Sequence, residues 1–433
     1  MGLGRDQDSW PCSRKNDGRV NGARTDKWHI ALYSHDTVGL GHMRRNMLIA
    51  DAIISSKIPA SVLLIGGARE ACAFSLPHGM DWLTLPSFQK NAQGTYQTRS
   101  LDVTLEELVA LRSKIIASAL DSFAPDVFIV DKRPRGALRE LDASLESLRA
   151  RGRTRLVLGL RDVLDDPARI RQEWCDDENE SAVHDFYDAI WVYGDPALYD
   201  QAKEYGYPAS VTSKIRHTGY LVRSGLRNFS EAGYAEPTQL GIEPDERVVL
   251  CTMGGGQDGG LLAEAFAQIS FLPKTKAVIL SGPFMPAHVE ARLRSLAADN
   301  DRLQVIHFLS DVDWLLKRAD AIVAMGGYNT VWEAVYLGKR TLIVPRVHPR
   351  QEQLIRAERL QHLGLVEVLP PNAVTPAALS AWLNRVHSSP VPEKKLINFD
   401  GCANLLQYLG EMLGDLRLNR SRQLERRPEH ALR

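Results

Sequence analysis

The segment Met325-Gly326-Gly327-Tyr328-Asn329-Thr330-Val331-Trp332-Glu333 reads as a strand end, a glycine turn and a helix start with a carboxylate one turn inside. A glycine pair lets backbone approach a phosphate closely. The helix start behind it offers unpaired N–H groups and the positive end of the helix dipole. Glu333 then stands where a ribose diol attached to that phosphate can be gripped, the combination a sugar nucleotide needs. A second glycine-rich strand-to-helix turn, Gly254-Gly255-Gly256-Gln257-Asp258-Gly259-Gly260, can cradle phosphate with backbone N–H groups. It lacks the Gly-Lys-Ser/Thr ending of a P-loop, which argues against ATP hydrolysis. Farther on, Glu352 and Gln353 open a helix on the same edge. A carboxylate and an amide side by side can hold vicinal hydroxyls of a sugar; a solvated first turn with a stabilising acid is the simpler account.

The first half offers a base. Gly39-Leu40-Gly41-His42 follows the first apolar run. There is no third glycine at the dinucleotide spacing, and Ile65-Gly66-Gly67 stands where a ribose-binding acid would be, which disfavours NAD. A histidine at a helix start on the lip of a cleft suits a general base; a capping or merely exposed histidine is the alternative. Asp131 ends a later buried run and can fix the His42 tautomer, or cap the next helix. Arg161 and Asp162, at another strand end, compete for that place. Gly39, Gly41, Arg161 and Asp162 fall on the side where an acceptor would enter. The cluster Lys132, Arg133 and Arg135 meets an anionic acceptor or is simply solvated. Asp311-Val312-Asp313 looks like a metal-binding pair, but it reads better as a helix start, and no His/Cys ligand spacing supports a metal.

These residues need strand ends to carry them, and the sequence supplies a rhythm of short apolar runs and helical stretches. The runs are Ile30–Ser34, Ser61–Ile65, Asp81–Leu85, Val127–Val130, Arg155–Leu160 and Ala189–Tyr193, then Val248–Thr252, Ala277–Ser281, Leu303–Phe308, Ala321–Met325, Thr341–Val344 and Val366–Leu369. Continuous rather than alternating apolar runs indicate strands buried on both faces of parallel sheets. Helices are expected between them, for instance Leu101–Leu120 and Pro134–Arg151. Periodicity lapses after Gly219 and resumes at Arg247. The fold class is therefore α/β, with two Rossmann-like doubly wound domains facing a cleft, where ligands sit at the carboxyl ends of the strands. The expected division is a disordered tail over 1–27, an acceptor-binding domain over 28–225, a linker over 226–246, a nucleotide-sugar-binding domain over 247–397, a helix over 398–416 and a basic tail over 417–433.

Composition narrows the class. The 433 residues carry 53 Lys+Arg and 53 Asp+Glu, and that balance argues against a general nucleic-acid binder. No apolar run approaches the roughly 18 residues that span a bilayer. The polar start has no apolar core of a secretory signal. Five dispersed cysteines without CxxC spacing read as reduced thiols of a cytoplasmic protein.

On these motifs the second half resembles the GT-B glycosyltransferases, in particular the bacterial family that adds N-acetylglucosamine to lipid I. Gly254, Gly255, Gly256 and Gln257 stand at that family's Gly-Gly-Ser-Gln-Gly turn, with Gly256 in place of the serine. Gly327 to Glu333 matches its Gly-Ala-Leu-Thr-Val-x-Glu helix start and keeps Thr330 and Glu333. The resemblance implies that Glu333 holds the ribose diol. Thr330 with its neighbours Gly326, Gly327 and Asn329 would hold the diphosphate. The backbone at Phe308-Leu309 would read the uracil edge, and Glu352-Gln353, where Glu replaces a Gln, would read donor-sugar hydroxyls. The first half resembles the family more loosely. His42 and Asp131 match a histidine base and its orienting acid in natural-product members. Asp131 to Pro134, Gly159 to Asp162 and Val192 to Pro196 are similar to an uncharacterised bacterial subgroup.

The resemblance implies an inverting, metal-independent enzyme without a cofactor. It would move a sugar from a UDP-sugar or dTDP-sugar to a small-molecule or lipid-linked acceptor. It would be a monomer or homodimer in the cytoplasm or peripheral to the membrane. A nucleotide-sugar hydrolase, a nucleotide-sugar epimerase and a non-catalytic sugar-nucleotide sensor are the rival readings.

Overall fold

The computed structural model describes residues 27–35, 40–69, 74–90, 95–223, 240–309, 312–386 and 397–425. The first half runs β1 (Trp28–Ser34), α1 (Gly41–Ser55), β2 (Ala60–Gly66), β3 (Met80–Thr84), β4 (Phe88–Lys90), β5 (Tyr96–Thr98), α2 (Leu105–Phe123), β6 (Val127–Asp131), α3 (Asp142–Arg151), β7 (Arg155–Arg161), α4 (Pro167–Asp176), α5 (Asn179–Phe186), β8 (Ala189–Tyr193), α6 (Gln201–Tyr205), α7 (Ala209–Thr212) and β9 (Ile215–His217). The second half runs β10 (Arg247–Thr252), α8 (Gly260–Ala267), β11 (Thr275–Leu280), α9 (Ala287–Ala298), β12 (Leu303–Ile306), α10 (Asp313–Arg318), β13 (Ala321–Ala324), α11 (Tyr328–Tyr336), β14 (Arg340–Ile343), α12 (Glu352–His362), β15 (Glu367–Val368), α13 (Pro376–Val386) and α14 (Gly401–Glu425).

The strands form two parallel sheets, in the orders β3-β2-β1-β6-β7-β8-β9 and β12-β11-β10-β13-β14-β15. Strand chemistry explains the layering. In β1, Ile30 and Leu32 enter one apolar core while Ala31 and Tyr33 enter the core on the opposite face. Val127 and Ile129 of β6 divide from Phe128 and Val130 in the same way. In β10, Val249 and Cys251 part from Val248 and Leu250. Side chains alternate faces along a strand, so a sheet covered on both sides demands a continuous apolar run.

Order reverses between β1 and β6 in the first sheet and between β10 and β13 in the second. At such a reversal the two flanking crossovers run to opposite faces, and a crevice opens at the strands' carboxyl ends.

The two halves are joined by a buried seam. Tyr220 stacks on Trp332 with ring centroids 3.4 Å apart. The Tyr328 hydroxyl donates to the Tyr193 carbonyl at 2.9 Å and accepts from the Leu221 amide at 3.2 Å. At its centre Asp162, 1% exposed, accepts from Arg356 at 2.6 and 2.8 Å and from the Trp332 indole at 3.1 Å. Helix α14 returns to the first half, where Leu405, Leu409 and Leu413 share a core with Met47 and Ile49 of α1.

Several expectations need correction. Helix α2 starts at Leu105, because Thr104 and Glu107 form a reciprocal cap. The helix expected over 134–151 is regular only from Asp142, since Leu138 and Arg139 hold positive φ ahead of it. The strand expected over 303–308 ends at Ile306. The final helix runs on to Glu425, nine residues into the stretch read as a basic tail. The hairpin of β4 with β5, and strand β9, were not foreseen. The expected disordered tail falls almost wholly outside the described residues, as does most of the expected linker.

Asp162→Ala strands a buried guanidinium and an indole N–H, so it is expected to destabilise the chain by about 3–5 kcal/mol in denaturant unfolding. Glu411→Ala, which removes an exposed partner of Arg216, should leave the unfolding midpoint unmoved. Equal effects would locate the cohesion of the two halves elsewhere.

Candidate active site

Both sheet reversals face one cleft, and a helix starts at each. Helix α1 begins at Gly41 with no side-chain cap and no acid in its first turn. Helix α11 begins after Gly327, again with no side-chain cap and no acid in its first turn. The Asn329 amide donates to the Gly41 carbonyl at 3.2 Å, so the two starts oppose one another across the cleft. Two uncapped helix N-termini aimed at one space favour an anion there.

His42 lies in the first turn of α1 and Asp131 ends β6, the neighbouring strand at the reversal. The His42 Nδ1–H donates to Asp131 Oδ2. Asp131 is fully buried and also accepts from Arg45 at 2.5, 2.7 and 3.1 Å. Arg45 Nη2 stands 2.9 Å from His42 Nδ1, on the same side of the ring. This network assigns the proton to Nδ1 and leaves the lone pair on Nε2. Burial pushes the imidazole down to about 4, against the pull of Asp131. Burial alone would raise the Asp131 carboxyl, but Arg45 and then His42 hold it well below the usual carboxylate range. At neutral pH the pair is thus a neutral imidazole backed by a carboxylate whose charge Arg45 balances. Of the two contenders for orienting His42, the structure brings Asp131 to it.

A small pocket lies at the ends of β10 and β11, lined by Thr252, Gly254, Leu280, Phe308, Leu309 and Thr330 among others. Arg44 reaches it from α1 and donates to the Leu309 carbonyl at 3.0 Å. Glu333 stands one turn inside α11, partly exposed, as the sequence placed it.

The glycines divide by function. Gly254, Gly255 and Gly327 have backbone exposed or half-exposed, and Gly254 and Gly327 have open space where a Cβ would be. Gly256 is buried with φ 92°, and a Cβ there would strike the Ser281 carbonyl. Gly326 is buried with φ 88°, where a Cβ would press on Ile343 and Gln353. Gly256 and Gly326 thus let neighbouring segments approach. Gln257 is exposed at the loop tip.

Glu352 is 3% exposed and bonds Arg346 at 2.8 Å, while Arg346 also binds Asp258 at 2.9 Å. Burial would raise the Glu352 carboxyl, yet Arg161, Arg346 and Lys132 draw it down to about 2. Gln353 turns its amide oxygen to the Arg346 amide at 2.9 Å. Asp162 corrects the acceptor-side reading, because Arg356 and Trp332 occupy both its oxygens inside the seam. Arg161 ends β7 and is half-buried. Gly41 opens α1, whereas Gly39 lies outside the described residues. Arg133 pairs with Asp177, and Arg135 with Asp142 and Glu178. Of the Asp311/Asp313 pair, Asp313 starts α10 and holds Lys317 at 2.6 Å; Asp311 lies outside the described residues.

Sequence reasoning missed Arg45, Arg346 and Arg356. Arg45 had a signal: it follows His42 by three residues, one helical turn. The other two act across loops that only folding closes.

Residues 249–396 match the Glycosyltransferase family 28 C-terminal domain. The UDP-N-acetylglucosamine--N-acetylmuramyl-(pentapeptide) pyrophosphoryl-undecaprenol N-acetylglucosamine transferase of Rubrobacter xylanophilus is 26% identical over 182 residues, 41% of this chain and 49% of that protein. The chain spans about half the length of the curated relatives it matches. CalG4, the calicheamicin glycosyltransferase, superposes with a TM-score of 0.56 at 16% identity, covering 90% of this chain and 99% of that one. The UDP-GlcNAc 2-epimerase from Neisseria meningitidis bound to UDP-GlcNAc gives 0.53 at 14% identity, covering 90% and 100%. The overall likeness is one of fold: two Rossmann-like domains facing a cleft, the GT-B arrangement.

The His42 ring is expected to titrate near pH 4 by NMR, well under the ordinary value of about 6.5. Asp131→Asn removes the group that raises it, so that variant should titrate lower still. An unshifted ring in the wild type would contradict the buried, neutral assignment.

Proposed function

We propose that this chain, whose residues 249–396 form a glycosyltransferase family 28 C-terminal domain on a GT-B frame, moves a sugar from a UDP-sugar or dTDP-sugar to an acceptor hydroxyl, with inversion and without a metal. The observation that carries this reading is the meeting of His42 with Asp131 at one sheet reversal, opposite the uncapped start of α11 at the other. The pocket by Phe308, Leu309 and Thr330 would take the base, Glu333 the ribose, and Glu352 with Gln353 the donor sugar. The donor diphosphate would lie against the α11 start, where N–H groups stabilise the charge that develops as it departs.

His42 Nε2, its lone pair free of the Asp131 bond, would take the acceptor hydroxyl proton as the oxygen attacks the anomeric carbon. Asp131 would steady the imidazolium, and Arg45 would keep Asp131 ionised and in place. The bond to the diphosphate oxygen breaks as the new glycosidic bond forms on the opposite face, hence inversion. The seam at Asp162 would hold the two halves close enough to limit water in the cleft.

The acceptor is proposed to be a small molecule or lipid-linked, and the setting cytoplasmic, free or at a membrane surface. No helix of the described residues is long and apolar enough to cross a membrane. A nucleotide-sugar 2-epimerase is the second reading, favoured by the shared fold with such an enzyme. A hydrolase would differ only in using water as acceptor.

His42→Ala is expected to lower turnover by roughly 10²–10⁴-fold while leaving donor affinity nearly intact, and Glu333→Ala to weaken donor binding first. Near-wild-type kinetics for His42→Ala would remove it from the mechanism. Because His42 works unprotonated, kcat/KM should persist at mild acidity and fall only as pH approaches about 4. A thermal-shift screen of UDP-, dTDP-, GDP- and ADP-sugars identifies the donor, since a ligand at 100 times its Kd stabilises by about 2.7 kcal/mol. UDP release that needs an added acceptor marks a transferase, release without one a hydrolase, and a changed sugar still on UDP an epimerase.

A further inference from the structure

Most cations of the cleft are held in direct ion pairs. Arg45 is matched by Asp131, Arg356 by Asp162, Arg350 by Asp165 and Glu173, and Arg346 by Glu352 and Asp258. Lys132 and Arg161 remain, and neither forms an ion pair among the described residues. They are neighbours by topology. Strands β6 and β7 pair with Asp131 opposite Gly159, so Lys132, just past β6, and Arg161, the last residue of β7, share one carboxyl edge. The Lys132 amide donates to the Gly159 carbonyl at 2.8 Å. That position costs strain, because Lys132 holds φ 67°, which a residue with a Cβ rarely adopts. The Arg161 Nε is buried and makes no hydrogen bond.

The opposite wall is equally incomplete. Asp165 accepts from the Gln351 amide at 2.7 Å and from Arg350 at 2.9 Å, which pins the start of α12 over this edge. Glu352, 3% exposed, gives one oxygen to Arg346, while its Oε2 is buried without a partner. Two cations without a direct ion pair and one unfilled carboxylate oxygen therefore lie within electrostatic reach of one another, with Arg161 also in reach of His42 and Asp131. Burial, then Arg161 and Arg350, press the Lys132 ammonium well below its usual range, and an arriving anion would relieve that pressure.

We propose that Lys132 and Arg161 form an oxyanion subsite for a carboxylate or phosphate carried by a substrate, with Glu352 Oε2 accepting a hydroxyl of the same molecule. The proposal rests on the donor reading above and adds that a substrate is acidic near the reacting carbon. The donor diphosphate is assigned to the helix starts, so this anion is a further one. It belongs either to the transferred sugar, as in a uronic acid, or to the acceptor.

Calorimetry on the full chain separates the two. UDP, UDP-glucose and UDP-glucuronate are titrated into wild type, Lys132→Gly and Arg161→Gln, and inorganic phosphate is titrated into the UDP complex. Lys132→Gly removes the cation and relieves the strained φ, so it should fold. A charge-assisted contact predicts UDP-glucuronate binding roughly ten- to hundredfold tighter than UDP-glucose if the acid is on the sugar. Phosphate binding to the UDP complex without any preference for glucuronate places the acid on the acceptor. In both cases Lys132→Gly abolishes the effect and leaves UDP affinity unchanged. UDP binding with no preference for glucuronate and no phosphate uptake overturns the subsite. So does a loss of UDP affinity itself in the two variants, which would put these cations on the diphosphate. Lys132-dependent phosphate binding without UDP binding would sink the donor reading and keep the subsite; no binding of any probe would sink both.

Discussion

The ion pair of Asp162 with Arg356 is the constraint on which the rest of this molecule depends. It is 1% exposed on both sides and joins the loop after β7 to the middle of α12, so it fixes one half against the other. A buried pair contributes little net stability against an apolar replacement, yet it is unforgiving of displacement, because an unpaired charge in that place is costly. Arg356 also donates to the Gly326 carbonyl at 3.1 Å. One guanidinium thereby ties the seam to the glycine turn that starts α11. The opposition of the two helix starts follows from that tie.

The same logic governs the His42 pair. A largely buried histidine at a helix start loses affinity for its proton, and a carboxylate beneath it restores part of that affinity. Arg45 offsets the carboxylate, so the trio carries no excess charge while its imidazole stays neutral. Neutrality at this point contrasts with Lys132 and Arg161, which lie a few residues along the same sheet edge without a direct ion pair. The cleft thus sets a neutral imidazole near two cations that lack direct ion pairs, a separation set by which residue follows each strand.

Secondary structure was largely legible because the strands are buried on both faces. All twelve apolar runs fall on strands of the two sheets. The errors fall where backbone conformation is set by neighbours. Leu138 and Arg139 hold positive φ under tertiary packing, with the Ala137 amide bonded to the Tyr33 hydroxyl, so a helical pattern there gives no α-helix. The hairpin strands are three residues each, too short to show periodicity.

Residue types and their place after a strand are local properties, so the sequence alone determined that His42, Asp131, Gly327, Glu333 and Glu352 would gather at strand ends around a cleft. Which carboxylate faces His42 was a tertiary decision. Asp131 and Asp162 both follow buried strands, and only the sheet order, which sets β6 beside β1 and β7 one place farther, separates an orienting acid from a seam acid. Only the fold, too, told glycines that open onto the cleft from glycines that let loops touch. Contacts such as Asp162 with Arg356, 194 residues apart, leave no periodic trace in a chain, because their geometry exists only once both sheets have formed.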